Sequence, residues 1–237
     1  MLMNNRPSQA PLPRFGFAPH RPFGTVYGVL LNHRLALEAM GDAAHEPPYG
    51  TPPRAPVLYI KPRNTLSRNG QAVEIPTDPG QVEVSAQLGI VIGAACTRVS
   101  PAEVLDRVAG YTIVNDLSLP HDNFYRPSVR LKARDGFCPV SDNVIARDRI
   151  ADPDELEVKV LLDGELRQLT NTSQRLRTVA NLVADVSAFM TLMPGDILTL
   201  GGSYGAPLAK AGQEIRIEIE GLGSLTTQLV EENGGAT

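Results

Sequence analysis

The sequence predicts a mainly β fold with few helices, of the α+β class. Three observations carry this. In "QVEVSAQLGIVIG", Val82, Val84, Ala86, Leu88, Ile90 and Ile92 alternate onto one face, the pattern of a half-buried strand. In "LEVKVLLDGELRQ", Val158, Val160 and Leu162 alternate and Asp163-Gly164 suits a type I′ turn, so this segment reads as a hairpin. Only two segments carry strong helical signals, and the strands do not alternate regularly with them, which argues against a doubly wound parallel sheet.

Taken in order, residues 1–22 are Pro-rich and aperiodic and read as a flexible arm, with 23–237 as a single domain. "TVYGVLLN" (25–32) is a strand, and "HRLALEAM" (33–40) a helical turn or two. "HEPPYGTPPRAP" (45–56) has too many prolines for regular structure and is a loop, a lid or a linker. "VLYIKP" (57–62) is a short strand ended by proline. "SPAEVLDRVAG" opens a helix, with Ser100 as N-cap, Pro101 at the first position, Glu103 completing a capping box and Gly110 at the end. "YTIVNDLS" (111–118) is an apolar run that turns polar. A second helix carries Val179, Leu182, Val183, Val186, Phe189 and Met190 at helical spacing and stops at Pro194-Gly195. "DILTLGG" and "EIRIEIEGLGSLTTQLV" close the chain as strands.

The 237 residues are 42% hydrophobic and 20% charged, with a formal net charge of -4 and no basic block. That balance argues against nucleic acid or an anionic membrane as the main partner. Two cysteines are too few for a disulfide framework and point to a reducing compartment, with a single bridge left open. No run is long and apolar enough to span a bilayer, and the first residues lack the apolar core of a secretory signal, so a soluble, cytoplasmic protein is expected.

Phosphate-loop, nucleophile-elbow, zinc-protease and paired-cysteine motifs are absent, and the four histidines lack metal-ligand spacing. Charge concentrates instead in "NDLSLPHDNFYRPSVRLKARDGFCP" (115–139), where aromatic and aliphatic residues interleave with basic ones. This is either a solvated loop or a packed segment whose basic groups face a cleft suited to a small polycarboxylate. Glu83, Ser85 and Gln87 form a polar row on the face of the 81–92 strand opposite its apolar residues.

The blocks "LYIKPRNTL", "VSAQLGIVIG", "VAGYTIVNDLS", "NFYRPSVRLKARDGFCPV", "DGELRQ" and "FMTLMPGDILTLGG", in this order, resemble the fumarylacetoacetate hydrolase family over roughly residues 24–230. Within it, the "FYRP" and "RDGFCP" wording and "LNHR" (31–34) resemble the N-terminal half of the two-part members of homoprotocatechuate breakdown. Those isomerise 2-hydroxyhepta-2,4-diene-1,7-dioate and decarboxylate 5-oxopent-3-ene-1,2,5-tricarboxylate. The resemblance implies a mixed β-roll or flattened barrel, a small di- or tricarboxylate keto-acid substrate, and assembly as a homodimer or with a homologous catalytic subunit. It also implies Mg²⁺ or Mn²⁺, held by two strand glutamates and a later aspartate.

Here the two glutamate positions are Ser85 and Gln87, while the aspartate is kept as Asp116. The metal set would therefore be Asp116, Ser85 and Gln87, or the metal would be absent. Glu83, about 7 Å along the strand, is a poor replacement ligand. By resemblance, Lys61, Lys132 and Asp116 are the catalytic candidates, Arg126 and Arg134 hold distal carboxylates, and Gly202 stands where a substrate-binding threonine is usual. The family's lid histidine falls at Ala36, with His33 and Glu38 out of phase. Three functions fit these residues: a half with a degenerate metal site, a competent isomerase or hydrolase, and a non-catalytic module that binds a dicarboxylate.

Overall fold

A computed structural model describes residues 24–121 and 128–232. The N-terminal arm therefore lies outside the described residues. The strands are β1 (Val26–Leu30), β2 (Val57–Lys61), β3 (Leu66–Arg68), β4 (Ala72–Ile75), β5 (Gln81–Ile92), β6 (Val108–Ser118), β7 (Cys138–Val140), β8 (Ile145–Ala146), β9 (Glu157–Leu162), β10 (Glu165–Asn171), β11 (Ile197–Thr199), β12 (Leu208–Lys210), β13 (Glu214–Ile219) and β14 (Gly223–Glu231). Four short helices join them: α1 (Arg34–Met40), α2 (Pro101–Val104), α3 (Val129–Lys132) and α4 (Val179–Ser187). The mainly β expectation holds.

A nine-stranded mixed sheet runs β2-β1-β11-β5-β6-β7-β3, with β12 added to β5 and β8 to β6, and curls into a half-barrel. A five-stranded sheet runs β10-β9-β13-β14-β4. Strand β5 is central to the large sheet because its alternation is complete: all six of its inward aliphatic residues are buried. They share one core with Val158, Val160, Ile215, Ile217 and Leu229 of the small sheet and with Leu182, Val183 and Val186 of α4. Burying this one strand face contributes about 10 kcal/mol as an upper estimate. The polar face of β5 is left for the cleft.

The hairpin forms as expected: Asp163 and Gly164 both have positive φ (51° and 80°), as a type I′ turn requires. Ser100 donates to the Glu103 carboxylate from its N–H (2.9 Å) and its Oγ (2.6 Å), so the expected box starts α2. The helix then stops after four residues, because the chain joins β6 at Val108 and pairs with nearly the whole of β5. Gly110 thus lies within a strand rather than at a helix end. A Cβ there would sit 2.1 Å from the Ile145 carbonyl oxygen of β8. In α4 the expected apolar face is buried up to Val186, but Phe189 falls beyond the helix and is 65% exposed. Cys96 and Cys138 are buried, free thiols, and burial pushes the Cys138 thiol up to about 12.

Candidate active site

The β5–β6 register builds the floor of a cleft. Ser85 pairs directly with Asp116, and Glu83 with Ser118. Directly opposed residues in antiparallel strands project from the same face with Cβ atoms about 4.5–5.5 Å apart, so the polar row on β5 meets the polar end of β6. The cleft holds about 560 Å³. Glu83, Ser85, Gln87, Asp116, Lys132 and Tyr59 form its polar side, and Val29, Ala36, Ala39 and Met40 contribute to an apolar wall from β1 and α1.

Asp116 is the centre of the polar side and is 2% exposed. Its Oδ1 lies 2.8 Å from Lys61 Nζ and its Oδ2 2.9 Å from Lys132 Nζ. The Tyr59 hydroxyl also donates to Oδ2, and Gln87 Nε2 does so at 3.1 Å. Burial alone would raise the Asp116 pKa. The Lys132 and Lys61 charges, with hydrogen bonds from Lys61 and Tyr59, outweigh it and hold the carboxyl well below the usual range. Burial and the neighbouring Asp116 charge push the Tyr59 phenol well up. Two ammonium groups thus meet one carboxylate.

Of the catalytic candidates, Lys132 and Asp116 line the cleft. Lys61 does not. It is buried behind Asp116 and donates to the Leu117 and Lys132 carbonyls at 3.2 and 2.6 Å. Lys61 ends the edge strand β2, opposite Val26 of β1. Arg134 is also outside the cleft lining: it reaches Glu232 at 3.4 Å and stacks over Phe137 at 5.9 Å. The expectation that several basic groups of 115–139 face the cleft therefore holds only for Lys132 among the described ones, since Arg130 is exposed on the outer side of α3. Arg126 falls outside the described residues. Gly202 lines the cleft against Ser85, where an added Cβ would stand 1.9 Å from the serine Oγ. Ala36 lines the cleft, whereas His33 is buried and bonded to Gln174 (3.1 Å).

Among the cleft residues that the sequence does not single out are Tyr59 and His121. Tyr59 shares a strand face with Lys61 by the period of two, and that was the available signal. His121 follows β6 in an irregular segment, where no periodicity marks it. Its backbone N–H donates to Glu83 Oε1 (3.4 Å), and its Nδ1 lies 3.9 Å from Glu83 Oε2. Burial raises the Glu83 pKa, partly offset by His121 and Lys132.

The Tyr59 ring reaches Asp116 by crossing its β1 neighbour, Gly28. A Cβ on Gly28 would stand 2.0 Å from the ring. Gly28→Ala is therefore expected to displace the ring, break the Tyr59–Asp116 hydrogen bond and cost about 1–3 kcal/mol by overpacking. Urea unfolding measures this, and an unchanged midpoint would contradict the packing described.

Comparison with known proteins extends the geometry. The chain matches the family model described as fumarylacetoacetate (FAA) hydrolase C-terminal over residues 25–230. It is 35% identical over 210 residues to a 4-hydroxyphenylacetate degradation bifunctional isomerase/decarboxylase of Salmonella dublin, covering 89% of this chain and 48% of that protein. The chain therefore spans about half the length of this relative and of two similar bifunctional isomerase/decarboxylases of Escherichia coli. Among solved structures it resembles a 5-carboxymethyl-2-hydroxymuconate delta-isomerase from Mycobacterium smegmatis, with a TM-score of 0.76 and 31% identity over 89% of this chain and 80% of that one. It also resembles a 2-hydroxyhepta-2,4-diene-1,7-dioate isomerase from Mycobacterium marinum, with a TM-score of 0.71 and 29% identity over 91% and 80%. With a family model matched across most of its length, the chain belongs to the fumarylacetoacetate hydrolase family.

Proposed function

We propose that this chain is the half of a homoprotocatechuate-pathway isomerase/decarboxylase in which the family's metal centre is degenerate, and that its cleft binds a keto-di- or tricarboxylate without a resident divalent ion. One observation carries this reading: both oxygens of Asp116 are already engaged by ammonium groups. The residues present do not fit Mg²⁺ or Mn²⁺. Such ions take oxygen ligands, mostly carboxylates, and the other two positions here offer a hydroxyl and an amide. Among the described residues, no group of three or more His, Cys, Asp or Glu side chains is placed to hold a metal. An incoming cation would have to displace Lys61 and Lys132 from the carboxylate.

Of the two ammonium groups, the one that lines the cleft suits an anionic ligand. Lys132 lines the cleft beside the Tyr59 ring, 5.0 Å from its centroid, and offers a positive end for a carboxylate or enolate oxygen. A chain that keeps fold and cleft without a metal centre fits a subunit working beside a metal-bearing homologous copy. No helix among the described residues is long and apolar enough to cross a membrane.

Calorimetric titration tests the proposal. The chain is expected to bind 2-oxoadipate equally with and without chelator, to bind no Mn²⁺ below the order of 1 mM, and not to decarboxylate the pathway tricarboxylate alone. Micromolar Mn²⁺ binding would refute it.

A further inference from the structure

Glu83 is the second carboxylate of the cleft, and the geometry gives it the reverse of Asp116's situation. Asp116 is locked between two lysines, whereas the Glu83 side chain is 28% exposed and faces the cleft with no lysine or arginine in ion-pair contact among the described residues. We propose that Glu83 is the general base of a keto–enol proton transfer, with His121 as its positioning residue and Lys132 facing the oxyanion. This rests on the ligand-binding reading above and adds a chemical step to it.

The local geometry orients the carboxylate. The His121 N–H fixes Oε1. The imidazole Nδ1 stands 2.9 Å from the Leu119 carbonyl oxygen, which can only accept. Nδ1 therefore directs its proton at that carbonyl rather than at Glu83. Along β5, Glu83 lies about 7 Å from Ser85, which pairs with Asp116, the carboxylate that Lys132 meets at 2.9 Å. Glu83 and Lys132 both line the cleft and the Lys132 charge acts on Glu83, so a ligand whose carbonyl sits at Lys132 can present its neighbouring carbon to Glu83. Two carboxylates whose surroundings differ this much divide into an electrostatic anchor and a base.

The step balances without a co-reactant. The C–H bond beside the keto group breaks and its proton forms an O–H bond on Glu83. The electron pair moves onto the carbonyl oxygen, facing the Lys132 ammonium. Glu83 then returns the proton to the same carbon, or to the far end of the conjugated system, which completes isomerisation.

The test uses the full chain in D₂O with 2-oxoadipate, following loss of the C3 hydrogen signal by NMR and affinity by calorimetry. Wild type is expected to exchange C3 hydrogen at least about 100-fold faster than Glu83→Gln, a usual contribution of a general base, with both binding the ligand within about threefold of each other. His121→Pro, which removes the backbone N–H that orients Oε1, should lower the exchange rate at saturating ligand and leave the apparent KM unchanged. Equal exchange in wild type and Glu83→Gln would overturn the assignment, as would binding by wild type with no exchange. In the latter case the ligand-binding reading survives. Absence of 2-oxoadipate binding would overturn both.

Discussion

Asp116→Asn is expected to destabilise the fold by about 3–5 kcal/mol, the cost of removing one partner from a buried ionic cluster. Asp116, Lys61 and Lys132 are 2%, 3% and 6% exposed, so water cannot replace the missing charge. The variant would leave two ammonium groups facing each other across an amide. Lys132→Met should cost less, because Asp116 keeps Lys61 at 2.8 Å. In the double variant Asp116→Asn/Lys132→Met one buried charge remains instead of two, so part of the loss should be recovered. Residues in direct contact couple, and urea unfolding of the four proteins measures that coupling. Additive effects would mean that the cluster is not the unit described.

The pH dependence follows from the same geometry. The folded-state pKa of Asp116 is depressed below the unfolded carboxylate value of about 3.9. Its stabilisation is then fully present above that unfolded value and is lost as pH falls below it toward the folded one. Wild type should lose stability on acidification below about pH 4, while Asp116→Asn lacks this component, so the gap between them narrows in acid.

How much of this was legible in the sequence depended on how local each cause was. The alternation of β5, the Asp163-Gly164 turn and the Ser100–Glu103 box are set by residues within a few positions, and each appears where expected. The resemblance also located Ser85, Gln87 and Asp116, which the β5–β6 register brings onto one floor. The failures were of another kind. The helix after Ser100 was overextended because pairing of Val108–Ser118 with β5 outweighs local helical signals, and no short window contains that pairing. Resemblance marks Lys61 as a catalytic candidate, but its position behind Asp116 goes with its hydrogen bonds to the Leu117 and Lys132 carbonyls, far along the chain. The role of Tyr59 was hidden for a similar reason: it requires Gly28 on the neighbouring strand to leave room for the ring. Arg134 matches family wording, yet it meets Glu232, at the far end of the chain, and the Phe137 ring instead of the cleft.

The contrast between wording and geometry can be turned into a gain of function. Ser85→Glu/Gln87→Glu returns carboxylates to the two positions opposite and beside Asp116, and is expected to raise Mn²⁺ affinity at least about tenfold, or about 1.4 kcal/mol. The direction follows from charge: the wild-type cluster sets two ammonium groups against one carboxylate, and the variant sets them against three. At an effective dielectric of about 20, each added carboxylate at 4 Å contributes roughly 4 kcal/mol of attraction to a unit charge, before desolvation and competition from the lysines reduce it. Ser85 is the easier position to change because it is only half-buried, and Gly202 beside it has no side chain in the way. Gln87 is 2% exposed, so the single variant Gln87→Glu should be the less stable of the two. Calorimetric titration with Mn²⁺ and thermal unfolding with and without the ion read both effects. If the double variant folds but binds Mn²⁺ no better than wild type, the lysines have closed the site independently of positions 85 and 87, and the deficit lies in the Lys61–Asp116–Lys132 cluster itself.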